Sequence, residues 1–236
     1  MRDTVRIRLL AGAALLTVLG CGDGDGTGPG SLQGSLRVIQ ASLNTAALDV
    51  LVDGTVRVTG LGAGTMSVAI PLATGPRTIE VGPSGEGKSP TALRLVVAAD
   101  SQYTAVVFDS SSVLNPVAVT DTGAVPAAGM TKLQVINLAR LAGPIDVYRR
   151  QPDFDGLIDL MFPFEYRAAS GYVQSAPGDW QVLVATEARV GGVPPEVPED
   201  TLLIVGPVSL TADQAATVVL VDDPNDGIGA VVVRER

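Results

Sequence analysis

The sequence of 236 residues contains no histidine and only one cysteine, Cys21. Without histidine the chain lacks the commonest general base and the commonest ligand of transition metals. A single cysteine forms no disulfide within the chain and no zinc site built on several thiolates. Nucleophilic catalysis by a Ser–His or Cys–His pair is therefore excluded. A hydrolase that uses paired carboxylates is the main enzymatic alternative left by these residue types.

Aromatic residues and basic residues are also scarce. Aromatic residues make up 4% of the chain, with one tryptophan and four tyrosines, which weakens the idea of a carbohydrate-binding surface built from exposed rings. Sixteen Lys and Arg residues stand against 25 Asp and Glu residues, giving a formal charge of −9. Because nucleic-acid-binding proteins carry clustered Lys and Arg, we expect no nucleic-acid partner.

The N-terminus has the pattern of an export signal. Residues 1–20 begin with a basic segment and continue with the apolar run Leu9–Leu19, whose 11 residues fall short of the roughly 20 that span a bilayer. The run ends in Val18-Leu19-Gly20-Cys21, which resembles the bacterial lipobox. This resemblance implies cleavage before Cys21 and lipidation of its thiol, including palmitate. Two or three acyl chains on one residue provide a stable membrane anchor.

Residues 21–34 are rich in glycine and contain almost no apolar side chain, which predicts a flexible linker after the lipidated cysteine. The alternative is that Cys21 is a buried thiol in a core helix, but the glycines that follow it cannot continue a helix. Gly22 stands where an aspartate is associated with retention in the inner membrane. We therefore expect a lipid-anchored protein of the cell envelope, at the outer membrane if the cell has two.

The remainder of the chain contains an internal repeat. The segments Leu36–Ala41 and Leu48–Leu51 recur 97 residues later as Leu133–Leu138 and Ile145–Tyr148 (133 − 36 and 145 − 48). A period near 100 residues is too long for a solenoid unit of about 20–50 residues, so it indicates a duplicated domain. The repeat predicts one module over residues 35–122 and a second over residues 130–236.

Each module has the composition of short strands joined by turns. The chain contains 27 glycines and 16 prolines, and its apolar segments show no helical periodicity. Asp53-Gly54 predicts a hairpin turn. The sequence thus predicts an all-β fold of two tandem antiparallel β-sandwich (Ig-like) modules. In the first module the predicted strands are Leu36–Ala41, Leu48–Val52, Thr55–Val58, Thr65–Ile70, Pro76–Val81, Leu93–Ala98, Tyr103–Phe108 and Val117–Thr120.

The segment Gly82–Ser89 matches the nucleotide-binding pattern G-x-x-x-x-G-K-[ST]. That motif holds phosphates at the N-terminus of a helix that starts at its lysine. Here Pro90 follows at once, and the next residues have the pattern of a strand. We interpret the segment as a Gly/Pro-rich hairpin loop and expect no nucleotide.

The second module is longer than the first by about six residues near 150–165 and about ten near 186–200. Insertions between preserved strands are places where a specific function can reside. In the first of them Asp153, Asp155 and Asp159 have the spacing of calcium ligands. The alternative is a plain acidic surface loop, and no other cofactor is expected. The cluster Phe162–Tyr166 is either a contact patch or a cover over one end of the core.

Two carboxylates recur with the repeat, Asp49 in the first module and Asp146 in the second. They are candidates for the carboxylates of a hydrolase. A scaffold role close to a turn explains both copies equally well.

The repeated strands resemble a family of bacterial envelope proteins, domain of unknown function 4397. The likeness rests on Leu36–Ala41, on Asp49–Gly54, which matches Asp-Val-Tyr-Val-Asp-Gly, and on Tyr103–Val106, which matches Tyr-Thr followed by two aliphatic residues. It extends over residues 35–236, although Arg149-Arg150 departs from the family's turn. The resemblance implies β-sandwich modules, often paired on lipoproteins, and no established activity.

Together these features predict a non-catalytic envelope lipoprotein, a binding, adhesive or structural module. Its expected partners are the membrane, through lipid on Cys21, and an unknown envelope protein or polymer. A carboxylate-based extracytoplasmic hydrolase is the alternative.

Overall fold

The structure is a computed structural model that describes residues 32–85, 91–110, 113–120, 125–151, 158–186, 201–223, 225 and 227–235. Every regular element in these ranges is a β-strand, so the all-β prediction is confirmed. The predicted signal peptide, Cys21 and most of the predicted linker lie outside the described residues.

The first eight strands form two four-stranded sheets that enclose an apolar core. The inner sheet has the order β4-β1-β7-β8, and the outer sheet has the order β3-β2-β5-β6. The strands are β1 (Gln33–Gln40), β2 (Ala47–Val52), β3 (Thr55–Gly62), β4 (Ile70–Ala73), β5 (Gly75–Pro83), β6 (Thr91–Val97), β7 (Gln102–Ser110) and β8 (Val113–Thr120).

The other eight strands repeat this arrangement. Their inner sheet has the order β12-β9-β15-β16 and their outer sheet the order β11-β10-β13-β14, with a second apolar core between them. The strands are β9 (Thr131–Leu138), β10 (Ile145–Arg150), β11 (Ile158–Phe164), β12 (Val173–Ser175), β13 (Gly178–Thr186), β14 (Thr201–Leu210), β15 (Ala215–Asp223) and β16 (Gly227–Glu235).

Corresponding strands occupy corresponding places, which is what a duplicated sandwich requires. Two details differ from the sequence prediction. Strands β1 and β7 pair in parallel, as do β9 and β15, within sheets that are otherwise antiparallel. The prediction of a strand over Thr65–Ile70 is wrong, because an isolated bridge joins Met66 to Ile39 there and β4 begins at Ile70.

The two modules share a third apolar core, which lies between their inner sheets. The first module contributes Ile39, Ala41, Val106 and Phe108, from β1, the residue after it and β7. The second module contributes Ile136, Leu138, Val219, Val221 and Val233, from β9, β15 and β16. The inner sheets are thus buried on both faces, and Leu32–Arg236 forms one compact unit of four sheet layers.

This double burial explains the sequence of the repeated stretch. Side chains alternate across a strand, so Leu36 and Val38 face the core of their own module while Ile39 and Ala41 face the other module. Both sets are fully buried, which turns the usual apolar–polar alternation into a nearly continuous apolar run.

The two inner sheets lie face to face, and β1 runs in the same general direction as β9. Arg37 contacts Glu235, and a Cβ on Gly229 would lie 3.5 Å from Cδ1 of Leu43. Strand β1 is therefore antiparallel to β16, which is antiparallel to β15, which is parallel to β9. Strands β1 and β9 thus finish at the same end of the molecule, which we call the loop end.

Because the modules share a core, we expect a substitution that destabilises one module to lower the stability of the other. Phe108→Ala removes a fully buried ring of the first module and should cost about 3–5 kcal/mol of unfolding free energy. Trp180 is the only tryptophan and is buried in the core of the second module, so its fluorescence reports that module. We expect urea unfolding of F108A, followed by Trp180 fluorescence, to shift to lower urea.

Val96→Ala is the matched control, because Val96 is 72% exposed and its truncation should change stability by less than about 0.5 kcal/mol. A Trp180 transition that is the same in F108A and in the parent chain would show that the modules unfold independently.

Candidate functional site

The loop end carries the connections that lie between strands β1 and β2, β3 and β4, β5 and β6, and β7 and β8, with their counterparts in the second module. Two aspartates tie these connections together in the first module. One is Asp49, near the start of β2, and the other is Asp109, near the end of β7.

The Asp49 carboxylate joins three parts of the chain. Its Oδ1 accepts hydrogen bonds from the backbone N–H of Gly60 at 2.9 Å and from Oγ of Ser84 at 2.5 Å. Its Oδ2 accepts a hydrogen bond from the N–H of Gly85 at 3.2 Å. These bonds, led by the one from Ser84, hold the pKa of Asp49 below its ordinary value. Asp49 therefore fixes loops, as the scaffold interpretation predicted.

The Asp109 carboxylate holds the β1–β2 connection in the same manner. Its Oδ2 accepts hydrogen bonds from Oγ of Ser42 at 2.5 Å and from the backbone N–H of Asn44 at 2.9 Å. In the second module Asp222, 113 residues further on, accepts a hydrogen bond from the N–H of Leu141 at 2.6 Å. In each module, an aspartate of the strand that pairs in parallel with β1 or β9 thus holds the connection that follows β1 or β9.

The last polar residue of the repeated segment Leu36–Ala41, Gln40, also holds a connection at the loop end. Gln40 is fully buried; its Oε1 accepts a hydrogen bond from the N–H of Ser42 at 2.6 Å, and its Nε2 donates to the carbonyl of Thr45 at 2.6 Å. Asn137 repeats this with the N–H of Ala139 at 3.0 Å. The Gln or Asn of the pattern is therefore a loop anchor inside an apolar sheet.

Sequence reasoning missed a second repeated anchor. Oγ of Ser67 accepts a hydrogen bond from the N–H of Val38 at 2.9 Å, and Oγ of Ser170 accepts one from the N–H of Val135 at 3.0 Å. Each serine hydroxyl accepts the hydrogen bond that a carbonyl of a neighbouring strand would otherwise accept. This occurs where the chain runs beside β1 or β9 without forming a regular strand. Because Ser67 and Ser170 are 103 residues apart, the same offset that relates Gly75 to Gly178, the alignment of the repeats contained this signal.

Asp146 differs from Asp49 in its burial. It is only 1% exposed, and its Oδ2 accepts a long hydrogen bond of 3.5 Å from the hydroxyl of Tyr148. Asp49 and Asp146 lie in the two outer sheets, which are separated by both inner sheets. With packed sheets about 10 Å apart, roughly 30 Å lies between them, so they cannot act as one carboxylate pair.

The turn predicted at Asp53-Gly54 is confirmed. Both residues have positive φ angles, 50° and 76°, as a type I′ hairpin turn requires. In the second module β10 runs on to Arg150, so the departure at Arg149-Arg150 replaces the tight turn with strand. Burial lowers the pKa of the Arg149 guanidinium to about 10.

The segment that resembles a nucleotide-binding loop lies between two antiparallel strands. Strand β5 ends at Pro83, and β6 begins at Thr91 and pairs with it. A strand follows the motif where a phosphate-binding helix would be needed, which agrees with a hairpin interpretation. Residues 86–90 of this segment lie outside the described residues.

The predicted calcium ligands Asp153 and Asp155 lie outside the described residues, as do residues 187–200 of the second insertion. Asp159 lies in β11, where its backbone pairs with Tyr148. Within the part of the chain that the structure describes, no three Asp, Glu, His or Cys side chains gather as metal ligands. The described residues also contain no helix that is long and apolar enough to cross a membrane.

Among the aromatic side chains that the structure describes, Phe108, Tyr148, Phe164 and Trp180 are buried, and Tyr103, Tyr166 and Tyr172 are partly buried. Trp180 is fully buried, and its Nε1 donates a hydrogen bond to Oγ1 of Thr131 at 3.3 Å. From the predicted aromatic cluster, Phe164 belongs to the core of the second module and Tyr166 packs against the shared core. Trp180 therefore offers no ring on which a sugar could stack.

With this geometry established, the chain can be compared with known proteins. Residues 34–148 match the family Domain of unknown function (DUF4397). The resemblance inferred from the repeated strands is thereby confirmed over that part of the chain. A search of curated proteins finds no match.

Two solved structures show a distant likeness to the chain. One, described for alpha-glucan recognition by family 41 carbohydrate-binding modules from streptococcal virulence factors, has 12% identity, a TM-score of 0.26, and coverage of 83% of this chain and 96% of that one. Another, a protein from Parabacteroides distasonis named for cell adhesion, has 9% identity, a TM-score of 0.23, and coverage of 88% and 99%. At these TM-scores and identities the likenesses carry no argument about function.

The hydrogen bonds of Asp49 predict a stability effect that depends on pH. Because the pKa of Asp49 is lower in the folded chain than in the unfolded chain, its contribution is complete above the unfolded value and is lost as pH falls through the folded value. Asp49→Asn should lower the unfolding free energy at pH 6 by about 1 kcal/mol, since the bonds are exposed to solvent.

Urea unfolding of the parent chain and of D49N between pH 2 and pH 6 measures this effect. The difference between the two should shrink below the ordinary pKa of an aspartate, about 3.9. Asp100→Asn, at an exposed turn residue, is the control. A difference that stays constant over this pH range would contradict the role given to the carboxylate.

Proposed function

We propose that the protein is a non-catalytic, lipid-anchored binding or adhesive module of the bacterial envelope, which contacts an envelope protein or polymer through its loop end. The observation that carries this proposal is the set of loop anchors at that end. The carboxylate oxygens of Asp49, Asp109 and Asp222 accept hydrogen bonds that hold these connections in place. Loops held rigidly on a β-scaffold are a common way to form a binding surface.

The loop end also offers apolar side chains for contact. Leu43 in the β1–β2 connection is 43% exposed, and Leu141 in the β9–β10 connection is 67% exposed. Both belong to connections that an aspartate anchors. Apolar groups in preorganised loops favour binding, because little conformational entropy is lost when a partner contacts them.

Lipidation predicts that Cys21 determines where the protein is found. Cells that express the full chain in the presence of labelled palmitate should yield a labelled protein in the membrane fraction. Cys21→Ser should abolish the label and release the exported chain from the membrane, because no acyl chain can attach. Equal labelling of the parent chain and C21S would contradict the anchor.

The proposed contact surface predicts a position-specific loss of binding. We expect Leu43→Asp/Leu141→Asp to reduce capture of partners from envelope lysate by residues 32–236 at least tenfold, because buried charge at a contact is costly. Val56→Asp/Val96→Asp, which changes two exposed valines at the opposite end, is the matched control and should bind normally. Equal loss in both variants, or none in the first, would contradict the assignment of the loop end.

A further inference from the structure

Among the described residues, a buried polar network lies at the interface between the modules. Glu235, at the end of β16, is 4% exposed and receives hydrogen bonds from three side chains. Its Oε1 accepts from the hydroxyl of Tyr172 at 2.5 Å and from Oγ1 of Thr217 at 2.9 Å. Its Oε2 lies 3.1 Å from Nη1 of Arg37, which belongs to β1 of the first module. The network therefore joins the first strand of the fold to the last.

The network breaks the internal symmetry of the interface. The apolar part of the shared core draws similar residues from both modules, Ile39 and Phe108 from one and Ile136 and Val221 from the other. At the repeat offset of 97 residues, however, Arg37 corresponds to Gln134. At the offset of 113 residues Glu235 corresponds to Thr122. The ion pair thus occurs at only one of the two equivalent positions.

An apolar interface between similar modules does not by itself decide which modules pair. Two first modules from different chains could pack through the same face, and so could two second modules. The first pairing would place Arg37 opposite the position that corresponds to Glu235, which is Thr122, and the second would bury Glu235 opposite the neutral amide of Gln134. Burying a charge without its partner is strongly unfavourable, so these like pairings are disfavoured.

We infer that the Arg37–Glu235 network is a specificity element that makes the inner face of the first module select the second module as its partner. The interaction surface is the inner sheet, and the partner that it rejects is the same module of another chain. The connection between Thr120 and Thr131 has ten residues, 121–130, long enough for modules of two chains to exchange. An exchanged dimer that keeps first–second pairs retains the ion pair, so the network disfavours only the dimers in which like modules pair.

The test measures separately the stability of the fold, as a urea midpoint, and the selection of the partner module, as a dimer fraction. Arg37→Met should lower the urea midpoint of residues 32–236, because it leaves Glu235 buried without its cation. Arg37→Met/Glu235→Gln removes both charges and keeps an oxygen that can accept from Tyr172, so its midpoint should return close to that of the parent chain. Each protein is unfolded and refolded at high concentration, and the fraction of dimer is measured by size-exclusion chromatography with light scattering.

We expect the parent chain to refold almost entirely as monomer and the double variant to give several-fold more dimer, although its urea midpoint has recovered. Arg94→Met, at an exposed arginine of the outer sheet, should behave as the parent chain does. If R37M itself aggregates, the double variant still decides the question. A double variant that refolds to the same monomer fraction as the parent chain would overturn the inference.

Discussion

The burial of both inner sheets on two faces is the constraint on which the rest of the structure depends. A sheet that packs against its own module on one side and against the other module on the other has almost no solvent-facing positions. This is why β1 and β9 carry apolar residues nearly without interruption, and why the one ionised network at the shared interface must be paired. The outer sheets and the loop end are then free to diverge.

Much of this fold could be predicted from the sequence. The repeat of Leu36–Ala41 indicated duplication, and Asp53-Gly54 indicated a hairpin that the structure contains. The contact between the modules could not be predicted, because Ile39 and Val38 have the same apolar chemistry while facing different cores. The parallel pairing of β1 with β7 was missed for a related reason: strand patterns specify which face is buried, not which neighbour is paired.

The candidate site was predicted less completely. Asp49 was recognised through its recurrence, but the recurrence did not show that its counterpart Asp146 is buried in the other outer sheet. Asp109 and Ser67 act through hydrogen bonds to residues distant in the chain, so no local motif marks them. What the loops present to a partner depends on these long-range bonds, and these become visible only when the strands are assembled.

The account rests on the two modules forming a single body through their inner sheets. Amide hydrogen exchange of residues 32–236, resolved by peptide, tests this most directly. We predict that peptides of β1 and β7 and those of β9 and β15 are the slowest in the chain and share one exchange rate, because they open only when the whole body unfolds. Inner-sheet peptides of one module that exchange much faster than those of the other would contradict the account.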